Sequence, residues 1–207
     1  MNRYSVISSL LVLIISATVW WQGTSGFKAF TSETARRIEV LENPRVLSGL
    51  SFENQNYQDI NISDYKGKYV LVDFIFTSCP DICHALGYAF KSIKSELENL
   101  GLGEHVQIVN ISFDIERDTP EQLSAYVQRY TEDSNVWHGL RLKDPNQLKQ
   151  LLTDFGIVVI PNERDGFDHN AAIHILDQEG RLVGIYDYQA QEQIIAHIRQ
   201  HIETPTL

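Results

Sequence analysis

The chain carries one methionine, Met1, and two cysteines, Cys79 and Cys83, in 207 residues. A folded domain here has no thioether to offer a soft metal. Two cysteines cannot build a disulfide framework, and a chain long enough for one domain of about 150–170 residues needs none. The cysteines therefore call for another explanation. Runs of basic residues with interleaved aromatics are also missing, and the net charge is −10. Such an acidic balance excludes nucleic acid as a partner and excludes electrostatic docking on anionic lipid. There is no internal repeat and no low-complexity tract.

One long apolar run is present. Val6 to Trp21 has no charged residue, follows Arg3, and closes with Trp20-Trp21. A secretory signal has a shorter apolar core and a small-residue cleavage site. Tryptophan pairs prefer the membrane interface, so residues 1–21 are expected to form an uncleaved, single-pass anchor, with a cleaved secretory signal as the alternative. Residues 22–43 are polar without an apolar period and read as a tether. Residues 44–207 make the globular domain.

Within that domain, Leu50–Phe52 and Gln58–Ile60 flank an Asn-rich turn, which predicts a short hairpin. Tyr69 to Phe76 is an apolar run of strand length, the pattern of a strand buried on both faces. Leu86, Phe90, Ile93, Leu97 and Leu100 then recur at helical spacing from Cys83 onward, with Gly101 as the stop. Val106–Phe113 predicts a second strand. Thr119-Pro120-Glu121-Gln122 is a capped helix start. Leu142–Phe155 predicts a helix ended by Gly156, and Ile157–Ile160 a short strand broken by Pro161. A hairpin of Ala171–Leu176 with Arg181–Tyr186 and a helix over Gln191–Ile202 complete the chain. Alternation followed by an antiparallel pair predicts an α/β fold, a mixed sheet flanked by helices.

Cys79 and Cys83 stand where the buried strand hands over to the helix. At i and i+4 they are expected to share one helix face, near unpaired N–H groups and the positive end of the helix dipole. That setting lowers a thiol pKa and favours thiolate, the species that binds soft metals and attacks disulfides. An inert staple is a poor alternative, because closing so short a loop removes little chain entropy. Thiolates suit Cu(I) and zinc. Structural zinc takes four protein ligands, so at least two histidines would have to join the pair. The spacing leaves metal and redox use both open, and a third ligand would be histidine or oxygen.

Phe76-Thr77-Ser78-Cys79-Pro80-Asp81-Ile82-Cys83, then Asp114 with Arg117-Asp118-Thr119-Pro120, then Asp168-His169, resemble the Sco/SenC copper-protein family. The resemblance runs from about Leu50 to Gly184. It implies a thioredoxin-like fold behind an N-terminal anchor in the cytoplasmic (inner) membrane, with the domain on the extracytoplasmic, periplasmic side. It also implies delivery of copper, or thiol reduction, for the binuclear site of cytochrome c oxidase subunit II or another copper protein. Carried over, Cys79 and Cys83 match the two sulfur ligands of Cu(I) or Cu(II), His169 the imidazole ligand, and Asp168 its acidic neighbour. Three positions depart from the family pattern: His84 and Ile115 stand where proline is usual, and Asn170-Ala171 follows the ligand histidine. His84 raises the question of a fourth donor.

The residues speak to His169 independently but less strongly. Pro161–Asn170 reads as a polar loop entering the Ala171–Leu176 strand, and such a loop can reach the start of the first helix. His105 and His138 read as loop residues and His174 as structural. His197 and His201, at i and i+4, could chelate a metal in isolation, though a solvated helix face is the ordinary reading. Asp168 is either an orienting partner of the imidazole or an exposed carboxylate. Asp114, Arg117 and Asp118 read as an ion-pair cluster near the site, with Asp118 or Thr119 also a helix cap. Three functions compete: a copper assembly factor, which is not an enzyme and needs a thiol reductant as partner, a membrane-tethered thiol–disulfide oxidoreductase using the same cysteines, and a thiol peroxidase with Cys79 as nucleophile, for which the sequence does not establish the arginine and hydrogen-bond donor required.

Overall fold

A computed structural model describes residues 3–24, 31–47, 49–80, 82–133, 135–162 and 166–203. The chain divides into two units, Met1–Asn43 and Pro44–Leu207. The first holds two helices, α1 (Arg3–Gly23) and α2 (Ser32–Glu42). Apolar side chains of α1 such as Leu10, Leu13 and Trp20 are exposed. Among the described residues no helix is long and apolar enough to cross a membrane, so the fold alone does not make α1 the expected anchor. Helix α2 occupies part of the predicted tether. It forms without an apolar stripe because Thr31 caps it, accepting from Thr34 N at 3.1 Å, and Glu33 pairs with Arg36 and Arg37 one turn on.

The second unit is an eight-stranded mixed sheet with helices packed on it. In chain order it contains β1 (Arg45–Val46), β2 (Ser51–Asn54), β3 (Asp59–Asn61), β4 (Tyr69–Ile75), α3 (Ile82–Asn99), β5 (Val106–Ser112) and α4 (Pro120–Val127). There follow β6 (Trp137–Leu142), α5 (Leu148–Phe155), β7 (Val159–Asn162), β8 (Gly166–His169), β9 (Ile173–Leu176), β10 (Arg181–Tyr186) and α6 (Gln191–Glu203). The sheet order is β1-β10-β9-β4-β5-β6-β2-β3. β4, β5 and β6 run parallel, while β9 joins β4 antiparallel. Every residue of β4 and β5 is buried, as a central strand covered on both faces requires. The predicted hairpins appear as β2–β3 and β9–β10.

Helix α3 buries the stripe Leu86, Phe90, Ile93 and Leu97. Leu100 lies past its end and is 40% exposed. The stop is Gly101, at φ 74, where Leu102 N turns back to Leu97 O at 2.8 Å. Gly87 serves a different need: a Cβ there would overlap the ring of Tyr130. Helix α4 begins as expected, with Thr119 and Gln122 exchanging capping bonds.

Three expectations need correction. Leu142 to Lys143 is not helical: β6 ends at Leu142, and the helix starts only at Leu148. Pro145, with Asp144 capping Asn146 N, opens a short 3-10 turn instead, because proline inside a helix removes a donor and clashes with the preceding turn. Strand β6 was hidden by its Trp-His-Gly run. Its Gly139 lets α4 approach closely, with Leu123 and Val127 filling the space a Cβ would need. Finally, Pro161 does not break β7, which runs through it. In a two-stranded ribbon with β8 alone, a residue without N–H is tolerated on an edge.

Candidate metal centre

The centre grows from the end of β4. Phe76 leaves the sheet, Thr77 and Ser78 turn, and Cys79 follows, its N–H donating to Phe76 O at 3.0 Å. Asp81 lies outside the described residues. Helix α3 then starts at Ile82, so Cys79 precedes the helix rather than sharing its face with Cys83. The two are nonetheless joined: Cys83 N, in the first turn of α3, donates to Cys79 Sγ at 3.4 Å. Both cysteines are unbridged and buried, Cys79 at 6% exposure and Cys83 at 0%.

Helix position does not lower both thiols as expected. The Cys83 thiol is pushed far above the ordinary cysteine range, first by its hydrogen bond to Cys79 and then by burial; the charge of Asp73 adds to this. The Cys83 carbonyl is held by Tyr126 Oη at 2.7 Å. Cys83 is thus a fixed, protonated partner.

The turn carrying Cys79 is pinned by Asp118. This carboxylate, 1% exposed, accepts from Thr77 N at 2.9 Å, Thr77 Oγ1 at 2.6 Å and Ser112 Oγ at 2.6 Å. Its role is to tie the turn after β4 to the end of β5, while Thr119 does the capping. Arg117 pairs with Asp114 at 2.6 Å and lies over the Phe167 ring. Burial holds Asp114 above the usual carboxylate range, against the opposing pull of Arg117.

His169 is the last residue of β8, not a loop residue. The register Val159↔His169 places it at the base of the ribbon. Its ring packs edge-on against Phe76 and Phe113, with centroids at 6.2 and 5.1 Å, and Phe167 completes the aromatic group. Nδ1 lies 3.4 Å from Asn170 O, and Nε2 is buried with no hydrogen-bond partner. A buried imidazole nitrogen without a partner is a donor atom held ready. Asp168 does not orient the ring; it is exposed and accepts from Asn162 Nδ2 at 2.8 Å. Among the described residues no group of three or more His, Cys, Asp or Glu side chains lies close enough to hold a metal ion. The fold brings Cys79 and Cys83 together and sets His169 beside Phe76, three residues before Cys79.

The other histidines have separate tasks. His84 turns its Nδ1 to Tyr130 Oη at 2.8 Å, with Arg129 Nη1 3.5 Å from Nε2. His138 lies in β6, not in a loop, with Nδ1 2.7 Å from Tyr65 Oη. His174 is buried against Phe74 and Phe155, the structural role expected of it.

One residue near the centre escaped the sequence reading. Asp73 interrupts the apolar run of β4, is fully buried, and accepts from Asn110 Nδ2 at 2.5 Å, while Asn110 in turn accepts from the Trp137 indole. Its second carboxylate oxygen has no partner. Burial raises its pKa from 3.8 to about 7, with Asn110 and His169 opposing the rise. The available signal was a single acid inside a strand otherwise made of apolar residues.

A mixed sheet with a cysteine pair at the junction of a central parallel strand and its helix defines a thioredoxin-like thiol protein. The chain belongs to the SCO1/SenC family, whose family model matches residues 40–203. It is 26% identical over 139 residues to a SCO1 protein homolog of Bacillus subtilis, covering 66% of this chain and 71% of the relative. Among solved structures, it is similar to a SCO1/SenC family lipoprotein of Bacillus anthracis, with 27% identity and a TM-score of 0.70 over 77% of this chain and 98% of the other. A second is Arabidopsis thaliana ScoI with copper bound, with 25% identity and a TM-score of 0.64 over 76% and 98%.

Proposed function

We propose that this chain binds copper through Cys79, Cys83 and His169, and delivers it to, or prepares the thiols of, the binuclear copper site of cytochrome c oxidase subunit II. The observation that carries this reading is the donor set: two unbridged thiols joined by the Cys83 N–H···Sγ contact, and an imidazole nitrogen buried without a partner beside Phe76. Thiolate and imidazole are donors that copper favours, and copper supplies an ion whose binding displaces the thiol protons. The relative from Arabidopsis thaliana, solved with copper bound, supports the choice of metal. His169 has to swing or travel with its ribbon to meet the sulfurs, and a short ribbon outside the main sheet suits that motion. A thiol reductant keeps Cys79 and Cys83 available. Exposed apolar side chains along α1, such as Leu10, Leu13 and Trp20, favour a tether at the cytoplasmic membrane, and the family resemblance is the ground for putting the domain on its outer side.

A second reading, a thiol–disulfide oxidoreductase, draws on the asymmetry of the pair. Cys79 receives an N–H and Cys83 is held protonated, as an attacking and a resolving thiol would be. Anaerobic titration of the reduced full-length protein in detergent tests the first reading: one equivalent of Cu(I) is expected to bind, and Cys79→Ser is expected to abolish tight binding. Equal uptake by parent and variant would rule the cysteine pair out as the copper site. Deleting residues 1–26 is expected to move the protein from the membrane to the soluble fraction; full-length protein found soluble would remove the tether.

A further inference from the structure

Helix α6 carries two histidines one turn apart; His201 is exposed, as a solvated helix face expects, but His197 is half-buried against Tyr186. The rings of His197 and His201 stack, with centroids 4.4 Å apart and planes 20° from parallel. The Nδ1–H of His201 donates to His197 O at 2.7 Å. A neutral imidazole protonated on one nitrogen presents a lone pair on the other, so the Nε2 of His201 is left as a donor atom. On His197, Nδ1 lies 2.9 Å from Tyr186 Oη of β10, and the two rings meet edge-on. The Nε2 of His197 is buried and has no hydrogen-bond partner.

We propose that His197 and His201 form a second metal site, for a divalent first-row ion that favours imidazole, with Cu²⁺ as the representative ion. Residues at i and i+4 lie on one face of a helix, and imidazole is a suitable ligand for copper, nickel and zinc. Tyr186 stands behind His197, and when its hydroxyl accepts the Nδ1–H it acts as the outer partner of a ligating histidine and leaves Nε2 free for the ion. The exposed His201 supplies the mobile arm, since a rotation of its ring opens the stack around the ion. The site stands on residues other than Cys79, Cys83 and His169, and so survives or fails independently of the proposed copper function.

The test is calorimetric titration with Cu²⁺ of the full-length protein in detergent, with Cys79→Ser and Cys83→Ser introduced to remove competition from the thiols. One Cu²⁺ is expected to bind. His201→Ala is expected to weaken it by about tenfold or more, and Tyr186→Phe by about tenfold, the scale on which loss of an outer partner is felt. Both variants keep α6, by circular dichroism. Failure of the cysteine-free protein to bind Cu²⁺ would overturn the proposal. So would binding left unchanged by both His201→Ala and Tyr186→Phe, or binding that disappears with His169→Ala instead.

Discussion

His169→Ala is expected to weaken Cu(I) binding by about a hundredfold or more while leaving reduction of a small disulfide by Cys79 and Cys83 nearly unchanged. The magnitude follows from chemistry: losing even an outer partner of a ligating histidine costs about 10–100-fold in affinity, and this change removes the ligand itself. The fold is expected to survive. His169 sits at the end of a two-stranded ribbon, and its ring is one of several packed around Phe76 and Phe113. Competition with a Cu(I) chelator gives the affinity, and turnover of a chromogenic disulfide gives the thiol activity. Parallel loss of both would mean that the variant had damaged the cysteine turn. Loss of neither would leave the oxidoreductase reading as the better one.

Asp73→Asn is expected to raise stability above pH 7 by a few kcal/mol, at about 1.4 kcal/mol per pKa unit, with little effect near pH 4. The folded pKa of Asp73 is raised from 3.8 to about 7, so between those values the folded protein holds a proton that the unfolded chain releases. Stability from this group is fully present below about pH 4, falls as pH rises, and levels off above about pH 7. Asparagine cannot ionise, and that part of the decline should vanish. Urea unfolding of the full-length protein and the variant between pH 4 and 8 checks this. Identical pH dependence in the two would show that Asp73 does not carry the penalty.

The fold was legible wherever a local period repeated. The apolar run of β4, the stripe Leu86-Phe90-Ile93-Leu97 and the Thr119–Gln122 capping pattern all became the elements they predict. Strand β6 was missed because His138 and Gly139 dilute the strand signal of Trp137; their place is decided by β5 on one side and β2 on the other. Strand β8 was missed for a similar reason. A ribbon containing Pro161 and Gly166 reads as a loop until its cross-strand register is known.

The site followed the same division. Cys79 and Cys83 are neighbours in sequence, and their junction with a buried strand could be read directly. His169 rested on the family resemblance, because nothing local joins residue 169 to residue 79; the link is the packing of its ring on Phe76. Asp118 was legible as part of a motif, but not as the clamp on Thr77, a contact across 41 positions. Asp73 was concealed by the strength of the apolar pattern around it. The depressed thiol pKa expected from helix position failed for Cys83, since the hydrogen bond to the neighbouring sulfur and then burial outweigh a dipole there.

X-ray absorption at the copper edge, on the Cu(I)-loaded protein and on His169→Ala, reports directly on the atoms around the ion. Sulfur scattering accompanied by an imidazole signal in the parent, with the imidazole signal gone in the variant, is the expected outcome. Spectra that match in the two proteins, with sulfur alone, would place residue 169 outside the coordination sphere and contradict a shared site for the two sulfurs and that ring.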